Sequence, residues 1–224
     1  MGRVYALRSV RIVYKKLGRM KFVSHLDMNR YIPRLVKVSK IPAWHTEGFN
    51  KHLYLTFALP LSLGITSEYD IFDLKITDDD FTDEMILEAL KSNAAEGIEF
   101  VSCGSAVFKT AELSFASYTV IYKDGDRSLL TSLEKMLNGN VIIARKKGKK
   151  GKVTELNLAE KIKSINTELD ENTLTLKVVL PAGITENINP VLFLDAFESL
   201  GSRRPEVVTV SRDMLYTSQM EIFR

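Results

Sequence analysis

Val10-Arg-Ile-Val-Tyr14 alternates and is rich in β-branched residues, which predicts a strand. Lys15–Gly18 reads as a turn, and Met20–Val23 continues extended. Ser24 opens a helix, with Asp27 three residues on in the capping-box position. The apolar face of that helix is Met28, Ile32, Leu35 and Val36; Pro33, inside the pattern, predicts a kink or an early stop. Strands follow at Leu53–Leu59 and Tyr69–Ile76, then a helix over Thr82–Asn93 with Phe81, Met85, Leu87 and Leu90 partly buried. Gly97 stops it, and Ile98–Phe108 is a strand.

The element order strand, helix, strand, strand, helix, strand is that of a split βαβ, or ferredoxin-like, unit. The second half repeats it in outline. Ser114–Tyr122 is a strand, Asp126–Asn138 a helix, Val141–Arg145 a strand, and strand material recurs at Ile162–Leu169 and Thr173–Leu180. Asn189–Leu200 is a helix and Val207–Arg212 a strand. Residues 153–170 also carry some helical periodicity, in NLAEKIKSI. The predicted fold class is therefore α+β, two tandem ferredoxin-like units with antiparallel sheets. Residues 1–110 form the first unit and residues 111–224 the second.

Composition narrows the class. The chain has 224 residues, 45% hydrophobic and 26% charged, as in ordinary globular proteins. No apolar run approaches the roughly 20 residues needed to cross a bilayer, and the first residues lack an apolar signal core. One cysteine, Cys103, excludes an internal disulfide or an all-cysteine metal site. It sits at the end of a strand pattern and reads as a buried, inert thiol. The expected location is cytoplasmic, with no membrane partner and no cofactor.

Charge changes the picture more. Residues 1–52 hold twelve lysines and arginines against two acids, Asp27 and Glu47, a net +10. The whole chain carries +3, which leaves −7 for residues 53–224. Such polarisation attracts polyanions. Asp27, Arg30, Arg34 and Lys37 share one face of the first helix, either a solvated face or a phosphate-binding ridge. Residues 145–152 carry six positive charges in eight, among them Arg145, Lys146, Lys147, Lys149 and Lys150. They read as a mobile basic loop suited to a nucleic-acid backbone. Trp44–His52 mixes aromatic, amide and imidazole groups of the kind that stack on unpaired bases, although Phe49 reads more readily as a core anchor.

All three histidines, His25, His45 and His52, lie in this basic quarter. Their spacing is not diagnostic of a metal site, and none is assigned. His25 is a candidate general base for RNA cleavage, with Arg30 or Lys51 supplying the cation. Residues 68–99 hold eleven acids against Lys75 and Lys91, a solvated acidic face able to dock a basic partner.

Arg11-Ile-Val-Tyr-Lys-Lys-Leu-Gly-Arg-Met-Lys-Phe-Val-Ser-His-Leu-Asp27 resembles the opening of the uncharacterised radical-SAM-linked domain family. Glu47-Gly-Phe-Asn50, His52, Leu59-Pro-Leu-Ser-Leu-Gly64 and Glu68 resemble its second block. Asn189-Pro190, Arg212 and Leu215-Tyr216 resemble later, weaker signals. Two departures are Lys51, where the pattern has proline, and Pro33 within the first helix. The resemblance implies an accessory domain, found alone or behind a radical SAM enzyme. It singles out Ser24, His25, Leu26, Asp27, Glu47, Gly48, Phe49, Asn50 and His52, with the helix start and the 47–52 loop expected side by side. A single cysteine cannot hold the radical SAM cluster.

The expected function is an RNA-binding accessory or substrate-recognition module acting with a radical SAM RNA-modification enzyme. Its binding residues would be Ser24, Asp27, Arg30, Arg34, Lys37, Glu47, Phe49, Asn50, Lys51, His52 and the 145–150 bases. The alternatives are a metal-independent endoribonuclease using His25 and a protein-docking module.

Overall fold

The computed structural model describes residues 7–123, 127–139, 141–147, 153–199 and 207–224. The chain divides into two compact units. One holds residues up to Leu113 together with Glu221–Arg224, and the other holds Ser114–Met220. The architecture is mixed α+β with antiparallel pairing, as the hydrophobic pattern predicts.

In the first unit, β1 (Arg8–Lys16) pairs antiparallel with both β3 (Thr66–Ile76) and β4 (Ile98–Gly104). The short β2 (Leu55–Phe57) pairs antiparallel with β3. The order across this sheet is β4-β1-β3-β2. Helices α1 (His25–Val38) and α2 (Asp83–Asn93) cover one face. Met28, Ile32, Leu35 and Val36 of α1, with Ile86 and Leu90 of α2, pack on Val10, Ile12, Tyr14, Phe72, Leu74 and Phe100. The two helices are tied by Ser39, whose hydroxyl donates to the Ala89 carbonyl at 3.0 Å.

Pro33 does not stop α1, which runs on to Val38. An interior proline costs about 3 kcal/mol. Each fully buried Leu, Ile or Met contributes about 1.5–3 kcal/mol, so the four-residue buried face outweighs it. In α2 the buried positions are Ile86 and Leu90, while Met85 faces solvent. Thr82 caps that helix by accepting from the Met85 amide, which fixes the rotation of the apolar stripe.

Met20–Phe22 is not extended. Gly18–Phe22 forms a 3-10 turn, entered through Gly18 at φ +54°. Gly97 holds this turn from the side. The Leu17 amide donates to the Gly97 carbonyl at 2.7 Å, and a Cβ on Gly97 would lie 2.7 Å from the Leu17 carbonyl oxygen. Gly97 also has φ +85°, where an L side chain is strained. We expect Gly97→Ala to cost at least about 2 kcal/mol in urea unfolding, since the αL conformation alone accounts for about 1–2 kcal/mol. A loss below about 0.5 kcal/mol would show that the turn can move.

On the other face of the first sheet lies Arg11, only 4% exposed. Its guanidinium donates twice to Asp73, at 2.8 Å each, and once to the Phe108 carbonyl at 2.9 Å. Phe223 lies beneath it, 4.6 Å from guanidinium carbon to ring centroid. Residues 221–224 thus return to the first unit, although the element order groups them with the second half. The Arg224 carbonyl accepts from the Val107 and Phe108 amides, and the Tyr69 hydroxyl donates to the Phe223 carbonyl. The predicted strand Ile98–Phe108 accordingly ends at Gly104.

The second unit contains β5 (Leu113–Lys123), α3 (Arg127–Asn138), β6 (Ile143–Lys147), β7 (Val153–Asn157), β8 (Ser164–Asp170), β9 (Thr173–Pro181), α4 (Leu192–Ser199) and β10 (Val207–Thr217). Its main sheet runs β10-β5-β9-β8, while β6 and β7 form a separate two-stranded hairpin. The helical periodicity at 153–170 resolves into β7, a 3-10 turn over Leu158–Lys161 and β8. With the hairpin set aside, this unit has the strand order of the first: fourth, first, third, second.

Candidate nucleic-acid interface

The entry to α1 is assembled by local polar bonds. Ser24 caps the helix: its hydroxyl accepts from the Asp27 amide at 3.1 Å and donates to the Asp27 carboxylate at 2.6 Å. Arg30 reaches the other carboxylate oxygen at 3.3 Å. The Ser24 hydroxyl first, and Arg30 after it, hold the Asp27 carboxyl below its ordinary 3.8. A depressed carboxylate contributes stability above its unfolded pKa, and loses it as pH falls through the folded value. We expect Ser24→Ala to raise the Asp27 pKa, read by NMR titration, and to cost about 1 kcal/mol in stability. An unmoved titration would show that the hydroxyl does not hold the carboxylate.

His25 is oriented by two neighbours. Its ring meets Phe57 edge-on at 5.1 Å, and its Nε2 accepts from the Asn29 amide at 3.0 Å. Behind the helix start, the buried Lys16 donates through Nζ to the Val23 carbonyl at 2.6 Å. The Gly64 amide donates to the Lys21 carbonyl at 2.8 Å. That bond joins the SHLD segment to the Leu59–Gly64 block, the two stretches that carry the family resemblance.

Arg30, Arg34 and Lys37 are exposed along one face of α1. Among the described residues only Arg30 of the three has a carboxylate partner. Positive charge is thus left unneutralised on this face.

The loop before β2 is a closed structure. The Tyr54 amide donates to the Trp44 carbonyl, the Thr46 amide donates to the His52 carbonyl, and His45 bridges to Leu53. His52 Nδ1 lies 3.1 Å from the Asn50 carbonyl, which can only accept, and 3.0 Å from the Thr46 hydroxyl. Below, Lys75 lies against the rings of Trp44 and Tyr54, at 5.2 and 4.5 Å. Trp44 is a half-buried anchor of the loop, whereas Phe49 is not: its side chain is fully exposed. Gly48, at φ +131°, makes the turn next to it. Glu47, Asn50, Lys51 and His52 are exposed on the same loop.

The helix start and the base of this loop are anchored at different levels of the β3 edge. His25 rests on Phe57, which pairs with Phe72, while the loop closes against Lys75. Three residues of strand separate these levels, about 10 Å at 3.3 Å per residue. The two groups share the β2 edge.

Residues 9–190 match the family described as "Uncharacterized protein conserved in bacteria (DUF2344)". The chain belongs to that family. Nothing among curated proteins matches. Among solved structures, a Cbf5-Nop10-Gar1 complex is 8% identical with a TM-score of 0.46, over 90% of this chain and 47% of that one. The chain therefore spans about half the length of that structure's chain. A protein assigned as a glycine cleavage system transcriptional repressor is 8% identical with a TM-score of 0.28, over 87% and 91% of the two chains.

The remaining basic candidates of this DUF2344 member lie in its second unit. Arg145 is in β6, exposed, and pairs with Glu155 across the hairpin at 3.4 Å. The main chain of Lys146 and Lys147 is in the same strand, so these three residues are not loop. Lys149 and Lys150 lie outside the described residues. Cys103 is partly covered, and burial foremost pushes its thiol up to about 12, which keeps it unreactive at neutral pH. No group of three metal-ligating side chains occurs among the described residues, and no described helix is long and apolar enough to cross a membrane.

Sequence reading missed the exposure of three apolar side chains near the helix start, Phe22, Leu26 and Leu63. Each sits in a pattern that also suits a buried position, so only the fold reveals their exposure.

Proposed function

We propose that this chain is an RNA-binding module that works in the cytoplasm with a radical SAM RNA-modification enzyme. The observation that carries the reading is the exposed Arg30–Arg34–Lys37 face of α1, cationic and largely without carboxylate partners. The resemblance of the SHLD and EGFN segments to the radical-SAM-linked family supplies the partner. The chain's one cysteine means that the cluster would come from outside residues 1–224. Each unit is read as a split βαβ unit, a reading supported by their shared strand order.

The test is fluorescence anisotropy with labelled bulk transfer RNA between about 50 and 200 mM salt. Affinity should fall steeply with salt. The triple variant Arg30→Glu, Arg34→Glu, Lys37→Glu should bind at least about tenfold more weakly, with a salt slope shallower by about one per lost phosphate contact. No binding at about 50 mM salt, or a variant that binds like the parent, overturns the reading.

Cleavage by His25 is the weaker reading, because its Nε2 already lies 3.0 Å from the Asn29 amide nitrogen. A protein-docking role is favoured by Phe22, Leu26 and Leu63, whose exposure leaves an apolar surface beside Arg19 and Lys21.

A further inference from the structure

We infer that the 44–54 loop is a single-strand reader, holding Phe49 out to stack on an unpaired RNA base. The inference rests on the RNA-binding reading above and names the form of RNA that this loop takes.

An aromatic ring contributes to folding by leaving water, and Phe49 does not leave it: the side chain is fully exposed. A floppy loop would let such a ring collapse onto the nearest apolar surface. This loop is braced instead. Its base is pinned by the Tyr54 and Trp44 main chains and by Lys75 lying against both their rings. Its neck is closed by the main chain and side chains of Thr46 and His52. His52 also contacts the Asn50 carbonyl through Nδ1, which fixes the backbone beside Phe49 on one side, and Gly48 makes the turn on the other. The ring is therefore held away from the core by its surroundings.

Around it, Asn50 and Lys51 are exposed, offering an amide for a base edge and a cation for a phosphate. A ring presented on both faces suits a base that is itself unstacked. In a duplex every base face is already covered by its neighbours, and entry would require opening a base step. Stacking on an aromatic tolerates any base, so this loop would choose by strandedness more than by sequence.

The experiment compares a labelled single-stranded oligouridylate twelve-mer with a fully paired RNA duplex of the same length, by anisotropy at low salt. Phe49→Ala should weaken single-strand binding by about tenfold, within the range measured for base–aromatic stacking. Phe49→Trp should restore it, and duplex binding should change by less than about twofold in both variants. The emission of Trp44, at the loop base, should be the same in Phe49→Ala and parent, showing that the loop still folds. If the parent binds RNA and Phe49→Ala binds the single strand equally well, the stacking inference is wrong while RNA binding stands. An equal loss on single strand and duplex also overturns it, because Phe49 would then act through the loop's shape. A parent that binds neither RNA overturns both readings.

Discussion

Phe72→Ala is expected to destabilise the first unit by about 3–5 kcal/mol, the range for removing a large buried aromatic. Phe72 is completely buried and central to the sheet, opposite Ile12 on one side and Phe57 on the other. Three rings surround it: Tyr14 at 5.6 Å, Phe57 at 5.9 Å and Phe100 at 6.3 Å, the last edge-on. Strand residues cannot close in without breaking the ladder, so the vacated volume remains a cavity and adds to the lost transfer energy. Urea unfolding followed by Trp44 fluorescence measures this directly, because the only tryptophan lies in this unit. Phe72→Leu fills much of the volume and should cost less than half as much. The effect reaches the candidate site through Phe57, on which His25 rests. The His25 ring resonances should shift in Phe72→Ala before any unfolding. Stability within about 1 kcal/mol of the parent would mean that the neighbouring rings collapse into the space.

The second large effect is at Arg11. Arg11→Met should cost about 3 kcal/mol, the lower end for breaking a buried ion pair, because Asp73 keeps 23% exposure and can regain some water. The loss has three parts: the two-pronged bond to Asp73, the bond to the Phe108 carbonyl, and the contact with the Phe223 ring. Arg11→Lys keeps the charge but not the fork or the flat stack, and should recover less than half. The double variant Arg11→Met, Asp73→Leu removes the stranded carboxylate and should be more stable than Arg11→Met alone. If the double variant is no better, the arginine acts mainly by packing on Phe223. Neither change touches the exposed basic face of α1.

Arg11 also shows where sequence reading stops. In the sequence it is one of twelve bases, and nothing marks it as buried. Yet Arg11 and Lys16 are buried structural groups, while Arg30, Arg34 and Lys37 face solvent. The helical spacing of the latter three was legible because period 3.6 forces them onto one face. The burial of Arg11 depends on residues 73, 108 and 223, which no local pattern links to it. The cap at Ser24 and Asp27 was legible for the same reason as the helix face: it is short-range chemistry. The 3-10 turn at Gly18–Phe22 was not, since it depends on the distant Gly97 and Gly64 backbones. Phe49 reads as an anchor because aromatic residues in loops are usually buried. Its exposure follows from the brace formed by Trp44, Lys75, Thr46 and His52, which places the ring outward.

The return of Glu221–Arg224 to the first unit bears on how the protein is made. The ring under Arg11 and the carbonyl that receives the Val107 and Phe108 amides come from residues 223 and 224. At ribosomal rates of about 5–20 residues per second, the hundred or so residues between them and Leu113 delay those contacts by roughly 5–20 seconds. During that interval Arg11 lacks its aromatic floor, and the Val107 and Phe108 amides lack their acceptor. Vectorial synthesis thus leaves this half of the protein unlatched until translation of the segment is complete, and order along the ribosome differs from order in the fold.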